Sequence, residues 1–208
     1  KITMLKYKHI SLYIAEAIKR LYERDSLLFE ASVHEICINH RLAIYLEQLI
    51  PDYFYPYTED LSVDIEFNRT PIDTHTMSQM KIVFESDMEP KQIRPDIILH
   101  HRGDPLSKVL WLEVKIGSDP YICTKDIHKA NFCCNYFKYE FAASILINHP
   151  QRRVRLWVMN GSKPIEEYEY GYENGVMLPY YECTNAEIEP YPLLIMTDKN
   201  GKDRIAVF

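Results

Sequence analysis

Two apolar segments lie close together near the middle of the chain: RPDIILHH (94–101) and KVLWLEVK (108–115), joined by a connection that begins Arg102-Gly103-Asp104-Pro105. Apolar runs of this length bounded by turn residues read as two strands of an antiparallel hairpin. The second segment is apolar on both faces until its end. A strand of that kind belongs in the middle of a sheet whose two faces are both covered. The remaining sequence must therefore supply helices for both sides.

It does so on spacing alone. Residues 8–24 place Ile10, Tyr13, Ile14, Ala17, Ile18 and Leu21 on one helical face. Residues 31–50 predict a second helix, stopped by Pro51, with Ser32 and Glu35 spaced as a capping box. SVDIEFNR (62–69) alternates as a strand, with Val63, Ile65 and Phe67 on one face and Asp64 and Glu66 on a solvated one. Residues 124–138 put Ile127, Ala130, Cys134 and Phe137 on a third helical stripe, and FAASILIN (141–148) and VRLWVMN (154–160) are further apolar strands. Trp111 and Trp157 fall inside apolar strands and are expected in the core.

The resulting order is α-α-β-β-β-α-β-β, an α/β fold with a central mixed sheet flanked by helices. Segment 70–93 is long and polar and is expected to be an irregular or mobile excursion. The tyrosine-, glutamate- and proline-rich stretch after 160 is expected to add strands and an ordered tail over the same core. No repeat and no break in composition divides the chain, so residues 1–208 read as one domain. The N-terminal helix is 8–24, and the C-terminal strands and tail occupy 150–208.

Composition removes whole classes. At 47% hydrophobic and 26% charged, the chain is neither disordered, collagen-like nor a coiled coil. Twenty-four basic residues against 30 acidic give a net charge of −6, so any nucleic acid would be held by a local patch on an acidic body. The densest basic spots are Gln151-Arg152-Arg153 with Arg155, and Lys125 with Lys129; each reads as a charged surface or as a phosphate-contacting rim. Five cysteines, two of them adjacent at Cys133 and Cys134, suit reduced thiols in a cytoplasmic protein. No C-x-x-C or H-x-x-x-H spacing suggests structural zinc. No apolar run reaches the roughly 18 residues of a membrane span, and the start KITMLKYKHI is too polar for a signal peptide. No membrane association is expected.

The chemistry lies in Asp96, Glu113 and Lys115. Glu113 and Lys115 are two apart in one strand and share a face. In an antiparallel hairpin the start of the first strand lies beside the end of the second, which brings Asp96 to them. Two carboxylates and an ammonium at a sheet end suit a hard divalent cation, Mg²⁺ or Mn²⁺. Such an ion polarises a phosphoryl oxygen and acidifies a water, and the lysine orients that water. Placement carries this reading, because Glu89-Pro90-Lys91 is also E-x-K and Pro51-Asp52 is also Pro-Asp, yet neither sits on paired apolar strands. Glu35 lines up with Leu42, Leu46 and Leu49 on a buried helical face; it either caps its helix or joins the metal site. Proton transfer near pH 7 would be helped if Lys115 loses some basicity through burial, the metal supplying most of the activation. His100 shares a strand face with Asp96 and reads as a solvated histidine or a support for the site.

An acid near a helix start, an alternating strand, a Pro-Asp strand (RPDIILH), an E-x-K strand (WLEVK), a helix and a further strand resemble the PD-(D/E)XK nuclease superfamily, the restriction-endonuclease-like fold. The αβββαβ order covers about 31–148. The resemblance implies a metal-dependent nuclease acting on nucleic acid, with DNA favoured over RNA. It implies Asp96, Glu113 and the Val114 backbone carbonyl as Mg²⁺ or Mn²⁺ ligands, Lys115 as the catalytic lysine and Glu35 as the helix acid. Lys125 and Lys129, at the charged start of the second core helix, would support the substrate phosphate. Homodimers are common in the superfamily. Two alternatives stand beside this: a nuclease-like fold serving as a non-catalytic binding or assembly protein, and a Glu113–Lys115 ion pair with no catalytic meaning.

Overall fold

The computed structural model describes residues 6–56, 60–67, 69–71, 77–79, 81–84, 87–102, 104, 107–161, 164–188, 194–197 and 203–206. The elements begin with helices α1 (Tyr7–Asp25), α2 (Leu27–Glu30) and α3 (Glu35–Phe54). Strands β1 (Leu61–Ile65), β2 (Arg69–Pro71), β3 (Met77–Gln79), β4 (Lys81–Phe84), β5 (Asp87–Gln92), β6 (Ile97–His101) and β7 (Lys108–Ile116) follow. A short 3-10 turn leads into helix α4 (Thr124–Phe137). Strands β8 (Phe141–Asn148), β9 (Arg153–Met159), β10 (Glu166–Glu173), β11 (Val176–Cys183), β12 (Leu194–Thr197) and β13 (Asp203–Ala206) complete the order.

Seven strands form one mixed sheet in the order β1-β6-β7-β8-β9-β10-β11. β7 and β8 are parallel, with Leu110 opposite Phe141 and Ile116 opposite Ile147. The other neighbours are antiparallel. A parallel pair needs a crossover, and α4 is that crossover. The two faces of the sheet can be read from the alternation of side chains. Leu112 and Val114 of β7 and Ile145 and Ile147 of β8 pack with α1 and α3. Trp111, Ala142 and Leu146 pack with Ile127, Ala130, Cys134 and Phe137 of α4 on the opposite face. The chain is thus α/β, a mixed sheet between helices. The six apolar positions of α1 are fully buried, each large aliphatic side chain contributing about 1.5–3 kcal/mol on burial. Tyr13 also donates its hydroxyl to the Leu46 carbonyl at 2.8 Å, fixing α1 against α3.

Several expectations need correction. Pro51 does not stop α3, which continues to Phe54. The last turn is held by buried Phe54, edge-on to Tyr13 at 5.0 Å, and Glu47, whose carbonyl loses its donor to proline, is exposed to water. At the other end α3 starts at Glu35, not at 31, and the capping box does not form. Ser32 has φ +50°, and the cap is instead His34, whose Nδ1 accepts from the Ile36 N–H at 3.3 Å. Glu35 is thereby released for other partners. Phe67 does not share a face with Val63 and Ile65. Glu66 takes φ +52°, the strand ends at Ile65, and Phe67 packs in the α4-side cluster.

The 70–93 excursion is not irregular where it is described: it contains β2 to β5. β2 pairs with β3, and β4 and β5 form a second sheet with the tail in the order β13-β12-β4-β5. The tail therefore divides. β10 and β11 extend the main sheet, whereas β12 and β13 join the excursion. Residues 72–76, 80, 85–86, 162–163, 189–193, 198–202 and 207–208, and the turn residues Gly103 and Pro105, lie outside the described residues.

His100 is not solvated, and Asp64 is half-buried against it. His100 is 4% exposed, and its Nε2 meets Asp64 Oδ2 at 2.8 Å. Arg102 adds two bonds to the same carboxylate, at 2.6 and 3.0 Å. An irregularity in the β6–β7 register between Leu99 and His100 accompanies this turn of the histidine. The Arg102 guanidinium holds the Asp64 carboxyl below the usual range, with His100 assisting against burial. A folded-state pKa below the unfolded value means stability present above the unfolded pKa of about 3.9 and lost as pH falls through the lower folded value. Asp64→Asn should therefore cost about 1 kcal/mol at pH 7. The deficit should vanish near pH 2 in urea titrations of the two proteins; an unchanged deficit there would contradict the ionic account.

All five cysteines are free, with Cys123, Cys133 and Cys134 buried. Trp111 and Trp157 are core residues, as expected.

Candidate active site

The site forms where β6 begins and β7 ends, between the first turns of α3 and α4. The hairpin register puts Ile97 opposite Leu112. Asp96 then bridges to β7 twice: its N–H donates to the Leu112 carbonyl at 3.1 Å, and its Oδ2 accepts the Val114 N–H at 2.7 Å. Burial raises the Asp96 carboxyl above its ordinary range, against the bond from Val114 and the charges of Lys129 and Lys115.

Glu113 is 3% exposed. It accepts from the Trp111 indole Nε1 at 2.7 Å. Lys129 of α4 reaches both of its oxygens, at 2.7 and 2.8 Å, and also donates to the Arg94 carbonyl at 3.1 Å. Burial pushes the Glu113 carboxyl up to about 8, with Lys129 pulling the other way.

Lys115 lies beyond. Its Nζ donates to Glu35 Oε1 at 3.2 Å and sits 3.9 Å from Asp126 Oδ2. The other Glu35 oxygen accepts the Ile116 N–H at 3.4 Å. Burial works against the Lys115 charge, but Asp126, Glu35 and Asp96 outweigh it and hold the ammonium above the ordinary lysine range. The expected loss of basicity is thus reversed, because acids surround the lysine. Asp126, in the first turn of α4, is itself raised by burial.

Asp96, Glu113, Lys115 and Glu35 are accordingly brought to one sheet end. Glu113 and Lys115 do not pair with each other; each has its own partner of opposite charge. Lys129 belongs to the site, but it neutralises Glu113 rather than facing outward. Lys125 is exposed on the first turn of α4. Asp126 was missed. The signal for it was its spacing of three from Lys129, which places both on one helical face. The basic rim is largely neutralised, with Arg153 on Glu169 at 3.5 Å and Arg155 on Glu167.

Four carboxylates and two ammonium groups meet here, so the site carries a surplus of hard oxygen donors, the type that Mg²⁺ and Mn²⁺ prefer. The carboxyls raised by burial mark a place that favours added positive charge. In donor type the residues fit such an ion. Among the described residues, however, no three His, Cys, Asp or Glu side chains converge closely enough to hold one as they stand. Lys129 occupies both Glu113 oxygens.

Comparison with protein-family models, with curated proteins and with solved structures finds no match to this chain. No helix among the described residues is long and apolar enough to cross a membrane.

Proposed function

We propose that this chain is a metal-dependent nuclease that hydrolyses phosphodiester bonds of nucleic acid, DNA in preference to RNA. On this reading α3, β1, β6, β7, α4 and β8 are the αβββαβ core of a PD-(D/E)XK, restriction-endonuclease-like fold. The observation that carries it is the lock between the Asp96 carboxylate and the Val114 N–H at 2.7 Å. That contact gathers the aspartate and the Glu113–Lys115 pair at one sheet end.

Asp96, Glu113 and the Val114 carbonyl, with Glu35 beside them, would hold Mg²⁺ or Mn²⁺. Bound there, the ion supplies Lewis acidity to a phosphoryl oxygen and lowers the pKa of a water. Lys115 presents an ammonium, kept charged by its acidic neighbours, to the phosphate and the attacking water. Glu35 and Asp126 position that lysine from opposite sides. Lys129 balances Glu113 and, with Lys125, would support the substrate phosphate.

A second reading has its own support. Lys129 occupies both Glu113 oxygens, as it would in a nuclease-like fold retained for binding or assembly alone. The test is cleavage of labelled single- and double-stranded DNA and RNA at low salt with Mn²⁺, Mg²⁺ or EDTA, beside calorimetric titration of Mn²⁺. Metal-dependent cleavage supports the nuclease. Absence of cleavage, with Mn²⁺ affinity no better after Lys129→Ala, sinks it in favour of the binding protein.

A further inference from the structure

A cavity of about 180 Å³ opens beside the turn that follows β7, lined by Ser118, Asn148, Gln151, Arg153, Arg155 and Glu169. It falls below the roughly 300–1,000 Å³ of pockets that enclose a whole organic ligand, so it suits one compact group of a larger molecule. Strand register ties it to the candidate active site. Lys115, Leu146 and Arg155 are successive partners across β7, β8 and β9. Arg155 therefore stands on the same face as Lys115, two strand spacings or about 10 Å away. Arg153, two residues from Arg155, shares that face. Both guanidiniums are held before any ligand arrives. Arg155 donates from Nε and Nη2 to Glu167 and lies 5.2 Å from the centre of the Trp157 ring. Arg153 lies 3.5 Å over the Tyr180 ring. That ring has room because its neighbour is Gly171, where a Cβ would overlap it. Stacking fixes the flat face of a guanidinium and leaves its in-plane N–H groups to be used at the edge. Glu167 is buried and is not part of the cavity wall. The wall itself carries two guanidiniums against one carboxylate, Glu169, which is 3.5 Å from Arg153. On a chain of net charge −6, paired arginine forks ringed by amide and hydroxyl groups match a small oxyanion, above all a phosphate.

We propose that this cavity holds a second phosphate of the substrate strand, away from the one that is cut. The inference rests on the nuclease reading and adds a positioning contact to it. Lys115 meets the scissile phosphate, while Arg153 and Arg155 grip another and fix the register of the strand. The backbone then runs across β7, β8 and β9 along the row that Lys115 and Arg155 share. The phosphate is an internal diester or a terminal monoester, and the chemistry that recognises it is the same.

Two measurements test this. The first is binding, in EDTA, of short labelled DNA and RNA strands with and without a terminal phosphate, beside strands whose linkages are neutral methylphosphonates. Ser118→Glu puts a negative charge at the exposed rim of the cavity, and Arg155→Lys keeps the charge but loses the fork. Each should bind phosphate-bearing strands about tenfold more weakly than the wild type, the loss expected for a charged hydrogen bond. Melting curves check folding, and Arg20→Gln on α1 makes a change of one charge elsewhere. A terminal phosphate that alone restores full affinity to a methylphosphonate strand identifies a strand end as the source; one that does not identifies an internal diester. The second measurement is single-turnover cleavage in MnCl₂ of strands carrying one methylphosphonate. The bond a fixed number of nucleotides from the neutral linkage should be cut about tenfold more slowly by the wild type, and at no such disadvantage by Ser118→Glu. Unchanged affinity in both folded variants, losses as large for neutral strands, or equal losses in Arg20→Gln overturn the proposal. Cleavage in which no bond senses a neutral linkage overturns the cavity and leaves the nuclease standing. No cleavage, with phosphate-dependent binding lost in both variants, overturns the nuclease and leaves the cavity as a phosphate site.

Discussion

Asp96→Asn is expected to fold normally and to lose about a thousandfold or more of its metal-dependent cleavage. The asparagine oxygen can still accept the Val114 N–H that Asp96 takes at 2.7 Å, so the hairpin end keeps its shape. What disappears is one negative charge among the groups that would hold the cation. Lys115→Ala should be comparably damaging for a different reason, since an ammonium aimed at developing charge contributes through electrostatics and proton handling, about 10²–10⁴-fold. The two losses can be told apart. Raising Mn²⁺ should recover part of the Asp96→Asn activity by mass action and none of the Lys115→Ala activity. Single-turnover cleavage across a Mn²⁺ series, with melting curves alongside, makes the comparison. Full activity in either folded variant would remove that residue from the chemistry.

Lys129→Met is the second large effect, and it should appear in stability. Lys129 is the countercharge of a carboxylate that is 3% exposed. Removing one partner of such a buried pair costs about 3–5 kcal/mol while the other remains charged. The cost should depend on pH. Burial places the folded Glu113 carboxyl at about 8, above its unfolded value of about 4.3. A group raised in this way contributes stability fully below its unfolded pKa and loses it as pH rises through the folded one. That value already contains the downward pull of Lys129, so in Lys129→Met the carboxyl rises further and keeps at pH 9 a proton that the wild-type group has released. Urea denaturation of metal-free protein at the two pH values should show a deficit about 1 kcal/mol larger at pH 9 than at pH 6. Equal deficits at both would show that Lys129 acts by packing its aliphatic stem and not by its charge.

The parts of the fold legible in the sequence were those with a strong period. The α1 face, the α4 stripe, the hairpin of β6 and β7 and the uniformly apolar β8 all follow from apolar spacing. The less legible parts turn on single residues whose behaviour depends on distant partners. Pro51 reads as a stop until Phe54 is seen against Tyr13. Ser32 and Glu35 read as a capping box, although Glu35 is drawn away by Lys115 and the Ile116 N–H. The excursion and the tail each look weak because their strands β4 and β12 find partners in each other, a pairing that no local pattern announces. At the site, same-strand spacing placed Glu113 with Lys115, and hairpin geometry brought Asp96 to them. The charge on α4 was harder to read, because a helix turned by a few tens of degrees would send Lys129 outward to solvent instead of onto Glu113.

The parallel pairing of β7 with β8 has a consequence in time. An antiparallel hairpin can zip from its turn, but a parallel pair waits until the intervening crossover has docked. The Glu35–Lys115 contact closes a span of 80 residues, whereas those of Asp96 and Lys129 close spans of 18 and 16. Closing long loops is entropically slow, so the shorter contacts can form while the helix acid is still absent. The Glu35–Lys115 contact is therefore expected to close after the two shorter ones, joining the helix acid to groups that the hairpin and α4 have already gathered.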